Sequence, residues 1–171
     1  ALHSVLAQTC RDFEVIVVND AGASVAAVVA AFEDERLRYV EHERNQGLAA
    51  ARNTGLRAAR GRYVALLDDD DLFYPRHLET ALQHLSDETP VVYTDAVRAT
   101  FERRGDAYQL VEKRVPYSID FDRTKLLVAN IAPVNCFVFS RTLALEAGLF
   151  DPSLSVLEDW DFWLRLSERA A

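Results

Sequence analysis

Short apolar runs alternate with amphipathic stretches along the first half of the chain. The runs are rich in β-branched and aromatic residues, which favours strands, and they lie at 13–20, 37–40, 63–67 and 91–95. Between them, apolar residues recur at the spacing of one helix face, in segments 2–8, 24–32, 48–60 and 75–86. Strands that alternate with such helices are typical of right-handed βαβ crossovers. The pattern predicts an α/β fold whose mostly parallel sheet is flanked by helices, with Ser24 capping the second helix.

The alternation stops after residue 95. Segment 97–115 carries Gly105 and Asp106 between two strand-like stretches, which predicts an exposed antiparallel hairpin that could border a substrate cleft. The remaining pattern predicts a strand and three helices. The strand is expected at 135–140, and the helices at 122–128, 142–147 and 158–166.

Acidic residues follow three of the predicted strands at the point where each strand ends. They are Asp20, the run Asp68–Asp71, and Asp95. In open α/β sheets the ligand crevice lies outside the carboxyl ends of the strands, so these residues are expected to converge on one site. Four adjacent aspartates repel one another unless a cation neutralises them, and carboxylate oxygens bind hard divalent cations. A metal site is the favoured interpretation, and a solvated acidic loop is the alternative.

Two helices carry polar residues whose role their spacing leaves open. Arg52 and Asn53, in helix 48–60, either point into the site or cap and solvate the helix. The run Glu158–Asp161 places three carboxylates at the start of the last helix, where the helix dipole favours negative charge. Trp160 and Trp163 give that helix an apolar stripe.

Composition limits the classes of protein that the chain can belong to. Its 171 residues, 50% of them hydrophobic and 27% charged, fit one globular domain with a substantial core. A net charge of -8 argues against binding nucleic acid by neutralising its backbone. A ligand that bears phosphate groups would therefore need a metal ion as its counter-charge.

The cysteines and the lengths of the apolar runs bear on where the protein works. Cys10 and Cys136 lie far apart and follow no metal-ligand spacing, which indicates free thiols in a reducing compartment. No apolar run reaches the ~18 residues that a membrane span requires. The expected location is the cytoplasm, at the inner face of the membrane if flanking sequence anchors the chain there.

Several short motifs occur in a specific order and spacing. They are Ser4–Thr9, Val17–Asp20, Asn45–Gly47, Ala51–Asn53, Gly61–Tyr63, Leu67–Asp71, Gly148–Asp151 and Glu158–Asp161. In this order the chain resembles a family-2 glycosyltransferase of the GT-A fold, which is a Rossmann-like α/β fold. The resemblance implies transfer of a sugar, with inversion, from a nucleotide-diphosphate sugar to an acceptor hydroxyl.

The resemblance also implies a role for each of the polar residues noted above. Asp159 would be the catalytic base, and Asp20 would receive the base of the donor, typically uracil. The ring faces of Trp160 and Trp163, beside Asp159, could hold a sugar acceptor by stacking on its C–H surface. The expected metal ligands, for Mn²⁺ or Mg²⁺, are Asp70 and Asp68. The expected substrate-binding residues are Asp20, Arg52, Asn53, Asp68, Asp69, Glu158 and Trp160. The implied partners are a UDP-sugar and a carbohydrate or glycolipid acceptor, in the synthesis of cell-surface polysaccharide or glycoconjugate.

The chain departs from the family pattern at both ends and at one turn. Family members begin with a strand that contributes to the nucleoside pocket, and they continue beyond Ser167, so the sequence is expected to be a fragment of one catalytic domain. Residues 1–95 would form its nucleotide-binding half and residues 96–171 its acceptor-side half. Asn19 stands where the family commonly has aspartate, and residues 21–24 replace a tighter Gly-Ser turn, while Asp20 is retained.

Two alternatives follow from the same residues. A metal-dependent nucleotide- or glycan-binding module without catalysis would need only Asp20 and Asp68–Asp71, and the presence of Asp159 argues against it. A nucleotidyltransferase on a similar sheet usually carries a Gly-rich, basic phosphate loop near its first strand. No such loop is visible in the sequence.

Overall fold

The computed structural model of the protein describes residues 1–170. Its strands are β1 Val15–Asn19, β2 Leu37–Glu41, β3 Tyr63–Ala65, β4 Val91–Tyr93, β5 Ala96–Arg104, β6 Ala107–Tyr117 and β7 Phe137–Ser140. Its helices are α1 Leu2–Leu6, α2 Ala26–Ala30, α3 Leu48–Ala58, α4 His77–Leu82, α5 Arg123–Val128, α6 Arg141–Glu146 and α7 Glu158–Arg169. A short 3-10 turn, Val134–Cys136, leads into β7.

The strands form one parallel pair and two antiparallel groups. β1 and β2 run parallel, with Val15 opposite Leu37 and Asn19 opposite Glu41. β7 lies between β3 and β4 and runs antiparallel to both, so β3 and β4 are parallel to each other. The predicted α/β class is therefore confirmed, with one antiparallel strand inside the larger sheet. β7 comes after the antiparallel hairpin of β5 and β6 and the short helix α5, so the regular strand–helix alternation that predicts parallel neighbours does not extend to it.

The hairpin of β5 and β6 confirms the prediction for segment 97–115. Its strands pair antiparallel, and the pairing ends with Arg104 opposite Ala107. Gly105 in the turn has a φ of 64°, a conformation that glycine adopts without steric cost. Almost all of the hairpin is exposed, so it projects from the rest of the molecule.

Aromatic packing between β7 and α7 forms the centre of the core. The rings of Phe137 and Trp163 stack with their centroids 3.9 Å apart, and Phe150 lies 4.1 Å from Phe162. Phe139 is fully buried beside them. Full burial of these side chains contributes about 1.5–3 kcal/mol each. The start of α7 is thereby fixed against the large sheet.

Some of the predicted elements differ from the structure. β3 ends at Ala65, and its residues are only half-buried, although the sequence predicts a strand covered on both faces. β1 is half-buried along its whole length in the same way. Ser24 does not cap α2, because Val25 is the capping residue and no side chain bonds the free N–H groups there. Within residues 1–170, no helix is both long enough and apolar enough to cross a bilayer.

Candidate functional site

The four aspartates after β3 differ in what they contact. Asp68 is partly exposed, and its two carboxylate oxygens lie 3.3 and 3.4 Å from Nη2 of Arg52. Asp71 accepts a 2.8 Å hydrogen bond from Nδ2 of Asn135. Asp69 and Asp70 are exposed. Among the described residues no side chain forms a hydrogen bond or ion pair with either of them, so their oxygens remain available to a ligand.

The aspartates also act on one another electrostatically. Burial raises the pKa of Asp71, and the negative charges of Asp70 and Asp68 raise it further. A bound cation would relieve this repulsion. The turn is closed by a 3.2 Å hydrogen bond from the backbone N–H of Asp71 to the carbonyl of Asp68, so the four carboxylates stay close together.

The residues present fit a divalent cation that is held jointly with a ligand. In residues 1–170, no group of three His, Cys, Asp or Glu side chains surrounds a point where a metal ion could sit. Mg²⁺ is commonly held by only one or two carboxylates together with the phosphates of its ligand. Asp70, with Asp68 beside it, supplies that number of hard oxygen donors.

Arg52 joins this acidic turn to the start of α7. Its Nη1 donates a 2.7 Å hydrogen bond to Glu158, while its Nη2 faces Asp68. The guanidinium is 5.5 Å from the ring centre of Phe150, and the side chain is only 9% exposed. The buried guanidinium of Arg52 therefore lies between the carboxylates of Asp68 and Glu158, which come from different halves of the chain.

The three carboxylates at the start of α7 have different partners. Glu158 pairs with Arg52, and Asp161 pairs with Arg165 at 2.6 Å. Asp159 instead accepts 2.8 Å hydrogen bonds from Nδ2 of Asn130 and from the backbone N–H of Trp160. Among these three carboxylates, only that of Asp159 lacks a cationic partner within the described part of the chain.

The two tryptophans of α7 contact the protein interior. Nε1 of Trp160 donates a 2.6 Å hydrogen bond to the carbonyl of Leu126, and the side chain is part-buried. Trp163 is 2% exposed and stacks on Phe137. The expectation that Trp163 stacks on a sugar is therefore wrong, because its ring faces lie in the core. The role of Trp160 in substrate binding stays a prediction.

Asn53 bonds the backbone in the protein interior, whereas the sequence left it either pointing into the site or capping and solvating the helix. It is 2% exposed, its Nδ2 donates to the carbonyl of Phe150 at 2.8 Å, and its Oδ1 accepts from the N–H of Phe150 at 2.9 Å. This pair of bonds joins α3 to the loop that precedes α7. Burial places the Asn53 amide out of reach of a ligand at the sheet edge, in contrast to the expected substrate contact.

Asp20, which follows β1, holds the loop that begins α3. Its carboxylate accepts hydrogen bonds from the N–H groups of Gln46 at 2.9 Å and Gly47 at 2.8 Å, and it lies 2.6 Å from Nδ1 of His42. Partial burial opposes its ionisation, but the bonds from His42, Gln46 and Gly47 together hold its pKa below the ordinary value. Asp20 thus fixes the N-terminal end of the helix that carries Arg52.

The carboxylates of Asp71 and Asp95 are both close enough to the Cys136 thiol to raise its pKa. Burial raises the pKa of Cys136 to about 12, and the charges of Asp71 and Asp95 add to this effect. Asp95 also accepts a 3.0 Å hydrogen bond from Ser118, at a polar cavity of about 470 Å³ that includes Asp120. The acids after β3 and β4, the two strands that flank β7, therefore both lie near Cys136.

Three site residues were missed by the sequence reasoning. His42 contacts Asp20, Asn130 contacts Asp159, and Asn135 contacts Asp71. Asn130 and Asn135 flank a buried apolar stretch, and this is the only sequence signal that could have drawn attention to them. Their partners lie 29 and 64 residues away along the chain, so no local pattern reveals the contacts.

Fold and site together define an α/β domain with an acidic edge, at which a buried arginine connects two groups of carboxylates. Comparison with known proteins gives the family. The model of glycosyl transferase family 2 matches residues 1–146, and the chain belongs to that family. The resemblance in the sequence motifs is thereby confirmed.

Several curated relatives are also named as glycosyltransferases. The chain is 33% identical over 168 residues to the uncharacterized glycosyltransferase YwdF of Bacillus subtilis, an alignment that covers 98% of the chain and 62% of YwdF. It is 28% identical over 174 residues to WcaA of Escherichia coli, an alignment that covers 97% of the chain and 60% of WcaA. WcaA is named as a putative colanic acid biosynthesis glycosyl transferase. The chain thus spans less than two thirds of the length of these relatives.

Solved structures agree on the fold. The crystal structure of Staphylococcus aureus TarS matches with a TM-score of 0.68 at 21% identity, over 96% of this chain and 30% of TarS. A shorter form of TarS, crystallised in complex with UDP, matches with a TM-score of 0.63 at 21% identity, over 94% of this chain and 48% of that one. At this identity the likeness concerns the fold alone.

Proposed function

We propose that the chain transfers a sugar, with inversion, from a nucleotide-diphosphate sugar to an acceptor hydroxyl, and that Asp159 is the general base. The observation that carries this proposal is the set of partners at the start of α7. Glu158 and Asp161 are each paired with an arginine, whereas Asp159 is held only by amide N–H groups. A carboxylate without a cationic partner keeps its lone pairs available to take a proton.

Inversion requires the acceptor oxygen to attack on the face opposite the leaving diphosphate. A sugar hydroxyl is a weak acid, so a positioned carboxylate must remove its proton as the new bond forms. The leaving group gains negative charge at the same time and must be stabilised at a separate place. Asp159 and the acidic turn 68–71 belong to different elements and supply these two functions.

Asp70 and Asp68 would hold a divalent cation, Mn²⁺ or Mg²⁺, between the protein and the donor diphosphate. When bound, the cation offsets the charge that develops on the leaving diphosphate. Asp70 is exposed and has no protein partner among the described residues, which supports it as the direct ligand. Asp69 and Arg52 lie beside it and would contact the donor.

A UDP-sugar is the proposed donor, with Asp20 beside its base. The shorter form of TarS that resembles this chain binds UDP, which supports this choice of nucleotide. The name of the relative WcaA supports an acceptor in cell-surface polysaccharide synthesis. Work at the cytoplasmic face of a membrane stays a prediction.

The experiment that tests this function is release of UDP from a panel of UDP-sugars by the whole natural protein, with Mn²⁺, with Mg²⁺ and with a chelator. We expect release of UDP from at least one donor, and a decrease of ~10²–10⁴-fold in rate for Asp159→Asn with donor affinity unchanged. Asp161→Asn is the matched control and should retain nearly the wild-type rate, because it removes only a partly exposed ion pair.

Two results would contradict the proposal. Donor binding without any turnover of the panel would favour a binding module instead of an enzyme. A wild-type rate for Asp159→Asn, together with a large loss for Asp161→Asn or Glu158→Gln, would move the base to one of those residues.

A further inference from the structure

Asn130 provides the contact to Asp159 that comes from outside α7. Its Nδ2 donates a 2.8 Å hydrogen bond to Oδ2 of Asp159, and both side chains are part-buried. The other oxygen of Asp159 accepts from the N–H of Trp160, the next residue in the same helix. The orientation of the Asp159 carboxylate relative to the rest of the site therefore depends on Asn130.

The carbonyl oxygen of Asn130 has no partner among the protein groups that the structure describes. Oδ1 is buried and accepts no hydrogen bond from the described residues. A buried polar atom without a partner destabilises the folded state, and an apolar side chain of the same shape would avoid that cost. A polar group held in such a position requires an explanation, and a role in function is one.

Asn130 is also rigidly placed. It is followed by the buried residues Ile131, Ala132, Val134 and Cys136, which belong to the core cluster and lead directly into β7. At the end of this same segment, Asn135 holds Asp71 of the acidic turn. One buried stretch of backbone thus carries both the amide that contacts Asp159 and the amide that contacts the proposed metal side.

We propose that Asn130 is a positioning residue for the base Asp159, which rests on the proposed function in which Asp159 takes the acceptor proton. The N–H donated to Oδ2 holds the carboxylate in one orientation, so that its remaining lone pairs face the acceptor hydroxyl. Without this N–H the carboxylate can turn about its side-chain bonds. The base would then reach the acceptor in only a fraction of encounters, while donor binding at the acidic turn would be unaffected.

The test uses Asn130→Ala and Asn130→Leu in the whole natural protein, with UDP release from the preferred UDP-sugar as the readout. We expect kcat to fall by about 10- to 100-fold with the donor KM unchanged, since misplacing a reacting group is costly for the chemical step alone. Asn130→Leu removes both the unpartnered carbonyl and the N–H donated to Asp159, two effects that oppose each other, so its thermal midpoint should stay close to that of the wild type. Gln83→Ala, an exposed amide at the end of α4, is the control and should retain the wild-type kcat.

A double-mutant cycle separates positioning from structural damage. If Asn130 acts through Asp159, then Asn130→Leu should not lower kcat further in an Asp159→Asn background. An equal decrease in both backgrounds would overturn the proposal. A wild-type kcat for Asn130→Leu, with Asp159→Asn inactive, would overturn it while leaving the proposed function intact.

Crystal structures give a readout that does not require turnover. We expect one orientation of the Asp159 carboxylate in the wild type and more than one in Asn130→Leu. A single unchanged orientation in the variant would overturn the inference, even if no UDP-sugar proves to be a substrate. A wild-type rate for Asp159→Asn would contradict the assigned base itself.

Discussion

Carboxylates that are equivalent in the sequence have different partners in the folded chain. Within the run 68–71, Asp71 is partly buried against Asn135, whereas Asp70 is exposed and has no protein partner among the described residues. The negative charge of Asp70 raises the pKa of Asp71, so the two residues are close enough to interact. These differences predict different effects of the same substitution at the two positions.

Asp70→Asn should remove the dependence of donor binding on Mn²⁺ or Mg²⁺ and leave the fold intact. The substitution removes one hard anionic ligand and nearly preserves the shape of the side chain. Titration calorimetry of UDP, with and without the metal, measures the effect, and a loss of about 10-fold or more in metal-dependent affinity is expected. Asp71→Asn is the matched control and should keep most of that dependence. A greater loss for Asp71→Asn would mean that the ligand is assigned to the wrong aspartate.

The positions of the acidic residues could be predicted from the sequence, but their partners could not. A carboxylate that follows a strand is visible as a local pattern, as for Asp20 and Asp68. Whether a polar side chain points outward depends on contacts between distant segments. Asn53 is buried because the backbone of Phe150, 97 residues away, uses its amide, and the ring of Trp163 is covered by Phe137.

At the scale of helices and strands, local periodicity identified nearly every element. α3 and the hairpin of β5 and β6 occur within a few residues of their predicted bounds. The antiparallel pairing of β7 was not predicted, because strand direction within a sheet depends on the path of the chain and not on the composition of the strand. The ends of β3 and α2 differ for a similar reason, since tertiary contacts decide where such short elements stop.

Asn53→Ala should weaken the connection between α3 and the loop before α7. The variant leaves the buried N–H and carbonyl of Phe150 without their partners, and each such group costs about 1–3 kcal/mol. The free energy of unfolding, from urea denaturation, should therefore fall by at least about 2 kcal/mol. Asn45→Ala is the control, because Asn45 is exposed and its bonds are 3.2 Å long.

A different result for Asn53→Ala would support the substrate-binding role that the sequence analysis expects for this residue. If the variant unfolded at the wild-type urea concentration but bound UDP more weakly, Asn53 would contribute to the ligand site and not to the connection between elements. The two measurements together separate these roles.

At the scale of the whole molecule, the two main sheets are separate. β1 pairs only with β2, and β3 pairs only with β7, so each has an edge that no strand within residues 1–170 covers. Both strands are half-buried although their sequences are apolar. Unpaired, apolar strand edges favour association between molecules.

We predict that extending the chain at its N-terminus with the natural sequence raises its stability. A further strand that pairs with β1 or with β3 would satisfy an open edge and cover its apolar side chains. The thermal midpoint of the extended chain should exceed that of the 171-residue chain by more than about 4 °C, and light scattering should show less aggregation. Equal midpoints and equal scattering of the two chains would contradict this prediction.

Arg52 contacts two carboxylates at once, and this links binding events on the two sides of the proposed site. Its guanidinium lies between Asp68, on the proposed donor side, and Glu158, next to the proposed base. A cation that binds at Asp68 competes with Arg52 for that carboxylate and leaves the arginine more strongly drawn to Glu158. By thermodynamic linkage, cation binding and the Arg52–Glu158 contact then affect each other by the same coupling free energy. Occupation of the donor side and the state of the acceptor side are therefore not independent variables, and steady-state kinetics with two varied substrates should depart from independent binding.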